Sequence, residues 1–501
     1  MSITRYQKVF VRCKQTKALK NISQNLDFTK YSPIQPVKDG LAPYVYEIMK
    51  AFPNGSRYVN QQHYYHNQMT LIKEYANKTP HPVSLTQLAQ YYDDSTGLTK
   101  NKIINSGRFV KEELVVRVAG KLLVLQNLPF DVVNNFHFAQ VYESYYDIFE
   151  RFRKFPSIKT LEDNMKFAEF TRKILQDFNS LNLPHLVMGA LECSILDLYP
   201  TDKMDALLSE LLRARISRRL IVEEHLSVTS NYMSGKKENT LVLGDIFQEC
   251  SAMDYIMEAS KTCEKFIKGT YYDTIPLPKL IIAGETDLKF YFLPSHLKYL
   301  FNEILRNVYE ATIKDFIRKG LEQPEPIKIR IVKNDESYIF KISDKAGGIL
   351  HPNENIWSFA KSKERAKESL QNFHRLPGLQ TVSLYDHIYQ DKINQSNTST
   401  KTDDSVLKND VMTRPYMRTS LEPMTHWNLK KGPFSFKTPL IEMSERALRY
   451  KLGIGLAMCK VYAEYWNGEL SLHSVPGHGV DTVLKLGNLL THTEKKQLDK
   501  V

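Results

Sequence analysis

The stretch "KLGIGLAMCK", Lys451 to Lys460, sets two glycines one residue apart in front of an apolar run that continues as "VYAEYW" to Trp466. Free backbone N–H groups and the dipole at a helix N-terminus favour phosphate. If Gly453 and Gly455 open a helix in that way, the second half of the chain is a nucleotide-binding α/β unit; if they are loop glycines, it is not. The stretch is no dinucleotide fingerprint, because position 458 is Met and no strand immediately precedes it. A Walker GxxxxGK motif and the protein-kinase set VAIK, HRD, DFG and APE are also absent. The decision rests on what stands upstream.

In "LPSHLKYLFNEILRNVYEATIKDF", Leu297, Leu300, Phe301, Ile304, Leu305, Val308 and Ala311 recur at helical spacing. Glu303 and Asn307, four residues apart, stack on a neighbouring face. An amide oxygen suits a hard ion such as Mg²⁺, and a carboxylate can orient or deprotonate a nucleophile. The same pair on a solvated face would be an ordinary i,i+4 contact. Next, "IKIRIVKNDESYIFKISD" alternates apolar and polar residues on both sides of a polar turn, which predicts a β-hairpin with one buried face. It ends in Asp344, followed by Ala346, Gly347 and Gly348. A carboxylate at a strand end beside a tight turn can accept from an adenine amino group; an Asp-initiated β-turn is the plainer alternative. "GELSLHSVPGHGVDTVLKL" predicts a second strand pair around Pro476-Gly477. Between the pairs, "QDKINQSNTSTKTDDSVLKND" is polar and poor in apolar residues, as expected of a mobile insertion.

The first half reads differently. From about Tyr44 to Lys265, "RVAGKLLVLQNLPF", "HFAQVYESYYDIFERFRKF", "KFAEFTRKILQDFNSL" and "MDALLSELLRARISRRLIVEEHLSV" carry apolar residues at three- and four-residue spacing, with Pro and Asn/Asp breaks between them. Four such segments predict an antiparallel helical bundle.

Taken in order, Glu-x-x-x-Asn on a helix, Asp-x-x-Gly-Gly after a hairpin strand and Gly-x-Gly-Leu at a helix start resemble the three boxes of the GHKL ATPase superfamily. "LRNVYEAT" is similar to the "ELxKNAxRAT" of the mitochondrial 2-oxoacid dehydrogenase kinases, and "AMCKVYAEYWNGELSLHSVPGHGVD" resembles the segment after their glycines. In the helical half, "ELVVRVAGKLLVLQNLPF" and "RARISRRLIVEEHL" resemble their "ELPVRxAHRI" and "SRIxxRMLxxxH" segments. From Tyr44 to Leu489 the chain thus resembles the pyruvate dehydrogenase kinase and branched-chain 2-oxoacid dehydrogenase kinase family, in a fungal-type form.

The resemblance implies a helical bundle over 40–268, which docks the lipoyl domain of the complex's E2 core. It implies a GHKL (Bergerat-type) α/β sandwich over 275–490, with a lid insertion at about 360–445. It implies transfer of the ATP γ-phosphoryl group to a serine of an E1α subunit. Glu303 would be the catalytic carboxylate and Asn307 the Mg²⁺ ligand. Asp344 and Gly348 would border the adenine, and Gly453, Ile454, Gly455 and Leu456 the triphosphate, with Arg306 at the family's Lys position. Gly453 and Gly455 would also hinge the lid. ATP and Mg²⁺ are the implied cofactors, K⁺ is admitted, and a homo- or hetero-oligomer is expected.

Four departures from the family pattern stand out. Tyr299 occupies the place of a His that would tune the catalytic Glu, a feature shared with the branched-chain subgroup. Ala346 replaces the first glycine of Asp-x-Gly-x-Gly, at about 1 kcal/mol if that position needs φ > 0. Val480 replaces a Thr, removing a hydroxyl near the adenine. The acidic-Trp C-terminal tail of the mammalian enzymes is missing. These departures motivate a non-catalytic scaffold as an alternative, opposed by Glu303, Asn307, Asp344 and Gly455. His225 in "VEEHLSV" raises histidine-kinase chemistry, against the simpler reading of a helix-buried structural His.

Composition is compatible with this. Over 501 residues the chain is 42% hydrophobic and 25% charged, as in ordinary globular proteins, and its apolar runs are far short of a membrane span. The net charge of +12 comes with no basic stripe, zinc-finger or RNP pattern, so no nucleic-acid partner is expected. Five scattered cysteines without a CxxC argue for a reducing compartment. Residues 1–26 hold six Lys and Arg and no acidic residue before Asp27, which resembles a transit peptide and points to the mitochondrial matrix.

Overall fold

The structure, a computed structural model, describes residues 68–81, 84, 97–133, 135–235, 246–271, 274–349, 356–374, 443, 446, 448 and 450–491. The basic leader and the polar core of the insertion lie outside the described residues.

The helical half contains α1 (Gln68–Ala76), α2 (Lys100–Gln126), α3 (Phe136–Lys154), α4 (Leu161–Leu196) and α5 (Thr201–Met233). Their starts are written locally: the Thr99 side chain caps α2, Asn135 caps α3, and Thr160 with Asp163 forms a capping box on α4. Pro184 lies inside α4, where the sequence pattern suggests a break; the helix continues to Leu196 because Leu186, Val187, Ala190 and Leu191 are buried beyond it. Tertiary burial outweighs the hydrogen bond that proline removes. Helices α2, α3, α4 and α5 pack on one another around a cavity of about 90 Å³, lined by apolar groups such as Leu114, Phe152 and Ile174, with Arg215, Arg218 and Arg219 in its wall.

Next come β1 (Gln248–Ser251), α6 (Ala252–Tyr271), β2 (Leu280–Gly284), β3 (Lys289–Phe292) and α7 (Pro294–Lys319). They are followed by β4 (Ile327–Lys333), β5 (Ser337–Ser343), α8 (Lys363–His374), α9 (Gly455–Tyr465), β6 (Glu469–Val475) and β7 (Gly479–Gly487). The main sheet runs β2-β4-β5-β7-β6, with β2 parallel to β4 and every other pairing antiparallel. Both hairpins expected from alternation are present. Three strands are not legible as such in the sequence: β2, parallel to β4, and β1 and β3, which pair with each other, β1 lying inside the stretch that reads as helical. Each is only four or five residues long, too short for periodicity to separate from its surroundings.

Ile327, Ile329, Ile331, Phe340, Ile342, Leu484 and Leu486 face the core, while Lys328, Arg330, Lys341 and Lys485 are exposed. Helix α7 lies between α6 and α9. Trp466 is buried after α9 and donates its Nε1–H to His296 Nδ1 at 2.9 Å, tying α9 to the start of α7. The two halves are also joined. Asp205 on α5 accepts the backbone N–H of Phe359 at 2.7 Å and of Ala360 at 3.2 Å, α8 packs on α4, and Arg213 on α5 pairs with Glu464 on α9.

Candidate functional site

Helix α7 begins with Pro294 at its first turn, a position where the missing N–H is not needed, and ends at Gly320 with φ 62°. Between these stops it carries Glu303, Arg306 and Asn307. Helix α9 starts at Gly455, and the turn before it holds Gly453 with φ 71°. Gly453 is therefore a conformational glycine. Gly455 is not: it has no positive φ, and its role is close approach. A Cβ there would overlap Glu303 Oε2. The packing of α7 on α9 thus brings the carboxylate of the first motif against the first residue of the glycine helix.

Glu303 is 0% exposed, and both of its oxygens are held by Arg446, at 2.5 Å from Nη1 and 3.0 Å from Nη2. The sequence expectation of a carboxylate beside Asn307 is met in position but not in bonding. Asn307 is exposed one turn further along α7, and Glu303 turns to a residue 143 positions away. Sequence reasoning misses Arg446, which belongs to no motif. Its guanidinium also donates to the carbonyls of Met443 and Tyr450, so one side chain gathers the approach to the glycine turn. Arg306, expected near the phosphates, donates to the Arg446 carbonyl and lies 5.9 Å from the Phe266 ring centre. Burial and the Arg446 charge lower its pKa to about 10, against the raising effect of Glu303. Nearby, Lys451 pairs with Glu310 at 2.9 Å, and Asn372 on α8 donates to the Lys451 carbonyl at 2.8 Å.

Asp344 stands at the end of β5, 7% exposed. Its Oδ1 accepts from Ala346 N at 2.9 Å and from Val480 N at 3.3 Å, while its own N–H donates to the Val480 carbonyl at 3.0 Å. Burial holds the carboxyl above the usual Asp range, with Asp481 and Asp315 adding to the effect, against the lowering effect of the two backbone donors. Gly347 and Gly348 follow with φ 83° and 73°, and Ile349 N donates to Ser474 Oγ at 2.8 Å. Among the described residues, no hydrogen bond joins Asp344 to the Glu303–Arg446 cluster.

Three of the departures resolve physically. Ala346 does not take a positive φ, so the glycine it replaces is not required for conformation. Replacing Ala346 by Gly should then destabilise the fold by about 0.5–1 kcal/mol through the freer unfolded chain; a denaturant titration that shows stabilisation instead would reveal strain at this turn. Val480 serves Asp344 through its backbone, which needs no hydroxyl. Tyr299 is buried, and its hydroxyl donates to Met458 Sδ at 3.5 Å. Burial raises its pKa well above the usual value, so it stays neutral where a His could have carried charge. His225 is likewise buried, 3.0 Å from Ser106 Oγ through Nδ1, with a pKa lowered to about 3 by burial. A neutral, enclosed imidazole is a structural side chain rather than a phosphate acceptor.

A sequence family described as mitochondrial branched-chain alpha-ketoacid dehydrogenase kinase matches residues 82–271. The chain is 64% identical over 499 residues to the mitochondrial pyruvate dehydrogenase (acetyl-transferring) kinase 2 of Saccharomyces cerevisiae, covering 100% of both chains. It is 21% identical over 440 residues to the human mitochondrial isozyme 4 of that kinase, covering 85% of each. With the Arabidopsis thaliana kinase it shares 24% identity over 252 residues, 50% of this chain and 66% of the relative. Full-length identity at this level shows that the chain belongs to the pyruvate dehydrogenase kinase and branched-chain 2-oxoacid dehydrogenase kinase family.

Proposed function

We propose that this chain is a mitochondrial protein-serine kinase that transfers the γ-phosphoryl group of ATP to the E1α subunit of pyruvate dehydrogenase and thereby inactivates it. The observation that carries the reading is the contact of Glu303 with Gly455. A carboxylate able to take a serine proton abuts a helix N-terminus suited to phosphate, the two functions in-line transfer needs side by side. The serine Oγ forms its bond to Pγ as the bond to the β,γ-bridging oxygen breaks; the serine proton passes to Glu303 and ADP leaves. Asp344 accepts the adenine amino group, and the turn at Gly347-Gly348 lets the base approach. These assignments make the second half a GHKL-type nucleotide-binding sandwich, with the helical half as the docking face for the lipoyl domain.

The donor set fits Mg²⁺. Among the described residues, no group of three or more His, Cys, Asp or Glu side chains is placed to hold an ion by itself. Mg²⁺ commonly takes one or two protein ligands and completes its shell with phosphates and water, and the exposed amide of Asn307 supplies such a ligand. When bound, the ion neutralises charge on the transferring group.

The family description that matches 82–271 supports branched-chain E1 as the second substrate reading. Labelled ATP with each E1 component separates the two: acid-stable label on pyruvate dehydrogenase E1α is the expected result, and label only on the branched-chain component would reassign the substrate. Asp344→Asn in the same assay should weaken ATP binding by about 10–100-fold. In the unaltered protein, ATP affinity should fall on acidification at a higher pH than a surface Asp would dictate, because the acceptor is lost as pH drops through the raised Asp344 pKa. The variant should lose that dependence.

A further inference from the structure

Glu303 is 0% exposed with both oxygens held by Arg446, so a serine hydroxyl reaches the carboxylate only once the Glu303–Arg446 pair has parted. Parting strands Arg446, a buried cation, and an unpaired buried charge is strongly disfavoured. Some other anion must take the carboxylate's place. We propose that the ATP γ-phosphate is that anion: Arg446 is a phosphate ligand of this kinase, and nucleotide binding releases Glu303 for catalysis by drawing Arg446 away from it. This rests on the reading of the site as an ATP-dependent kinase.

Three features support the exchange. The local charge count favours an incoming anion, since the four cations Arg306, Arg446, Lys314 and Lys451 stand against the three carboxylates of Glu303, Glu310 and Glu368. Position is right as well: Glu303 abuts Gly455, so the guanidinium bound to its oxygens lies beside the N-terminus of α9, where phosphate is favoured. Geometry matches, because the planar fork that binds Glu303 through both Nη atoms binds phosphate oxygens equally well. The backbone bonds from Arg446 to Met443 and Tyr450 link the exchange to the approach of the glycine turn.

Direct binding of ATP and of ADP to the full-length protein, with Mg²⁺ present, tests the exchange. In Arg446→Ala, ATP affinity should fall by about 10–100-fold, the range of a charge-assisted contact, while ADP affinity changes by less than about threefold. Arg446→Lys should retain part of the preference for ATP, and serves where the alanine variant does not fold. Glu303→Gln should bind ATP more tightly than the unaltered protein, because the competing carboxylate is gone. Equal losses for ATP and ADP, or no change in their ratio, would make Arg446 a structural pin and overturn the proposal. So would faster turnover in Arg446→Ala with an unchanged ratio, which would leave only a blocking contact. Failure of the unaltered protein to bind either nucleotide would instead remove the kinase reading on which the proposal stands.

Discussion

Replacing Glu303 by Gln should slow phosphoryl transfer by about 10²–10⁴-fold, the usual contribution of a positioned general base, without loss of ATP binding. The two substitutions at this position should separate chemistry from folding. Gln preserves shape and can still hydrogen-bond Arg446, so its defect belongs mainly to the chemical step. Ala leaves Arg446 buried without its carboxylate, and breaking one side of a buried pair lowers stability by about 3–5 kcal/mol. Single-turnover transfer measured beside thermal unfolding resolves the difference. A Gln variant that transfers phosphate at the unaltered rate would dismiss Glu303 as the base.

Gly455→Ala should be the most damaging small-to-large change in the glycine turn. Its methyl group would overlap Glu303 Oε2, normally the movable end of a flexible side chain. Here that end cannot swing aside, since it is fully enclosed and held at both oxygens by Arg446. Overpacking of this kind typically costs about 1–3 kcal/mol, and displacement of the carboxylate should abolish transfer as well. The explanation makes a sharper demand on the double variant. With Glu303→Ala in place the obstacle is gone, so adding Gly455→Ala should cost much less than it does alone, a coupling that a double-mutant cycle of unfolding free energies reads directly. Additive effects would show that the glycine is needed for some other reason. At Gly453 the reason is indeed different, because its φ of 71° is itself the requirement.

Most of the architecture was legible because it is encoded over short distances. Helical stripes at three- and four-residue spacing, the alternation of Ile327, Ile329 and Ile331, and the turn residues between paired strands are properties of ten or twenty consecutive residues. The order of Glu303, Asp344 and the Gly453–Gly455 turn was likewise visible, since each motif sits at the start or end of a local element. What periodicity could not supply were the short strands β1, β2 and β3, whose existence depends on partners elsewhere in the chain.

The sequence by itself determined the helical first half, the two hairpins and the residues able to carry the chemistry. It also suggested reasons for those residues that the packed molecule revises. Ala346 is not a conformational defect, Gly455 is a point of close approach to Glu303, and Glu303 is half of an ion pair. Only the tertiary structure decided these points, because they depend on what a side chain meets across the core. Arg446 is the clearest instance: its bond to Glu303 spans 143 residues, leaves no local pattern, and arises because desolvation forces a buried carboxylate to find a cation.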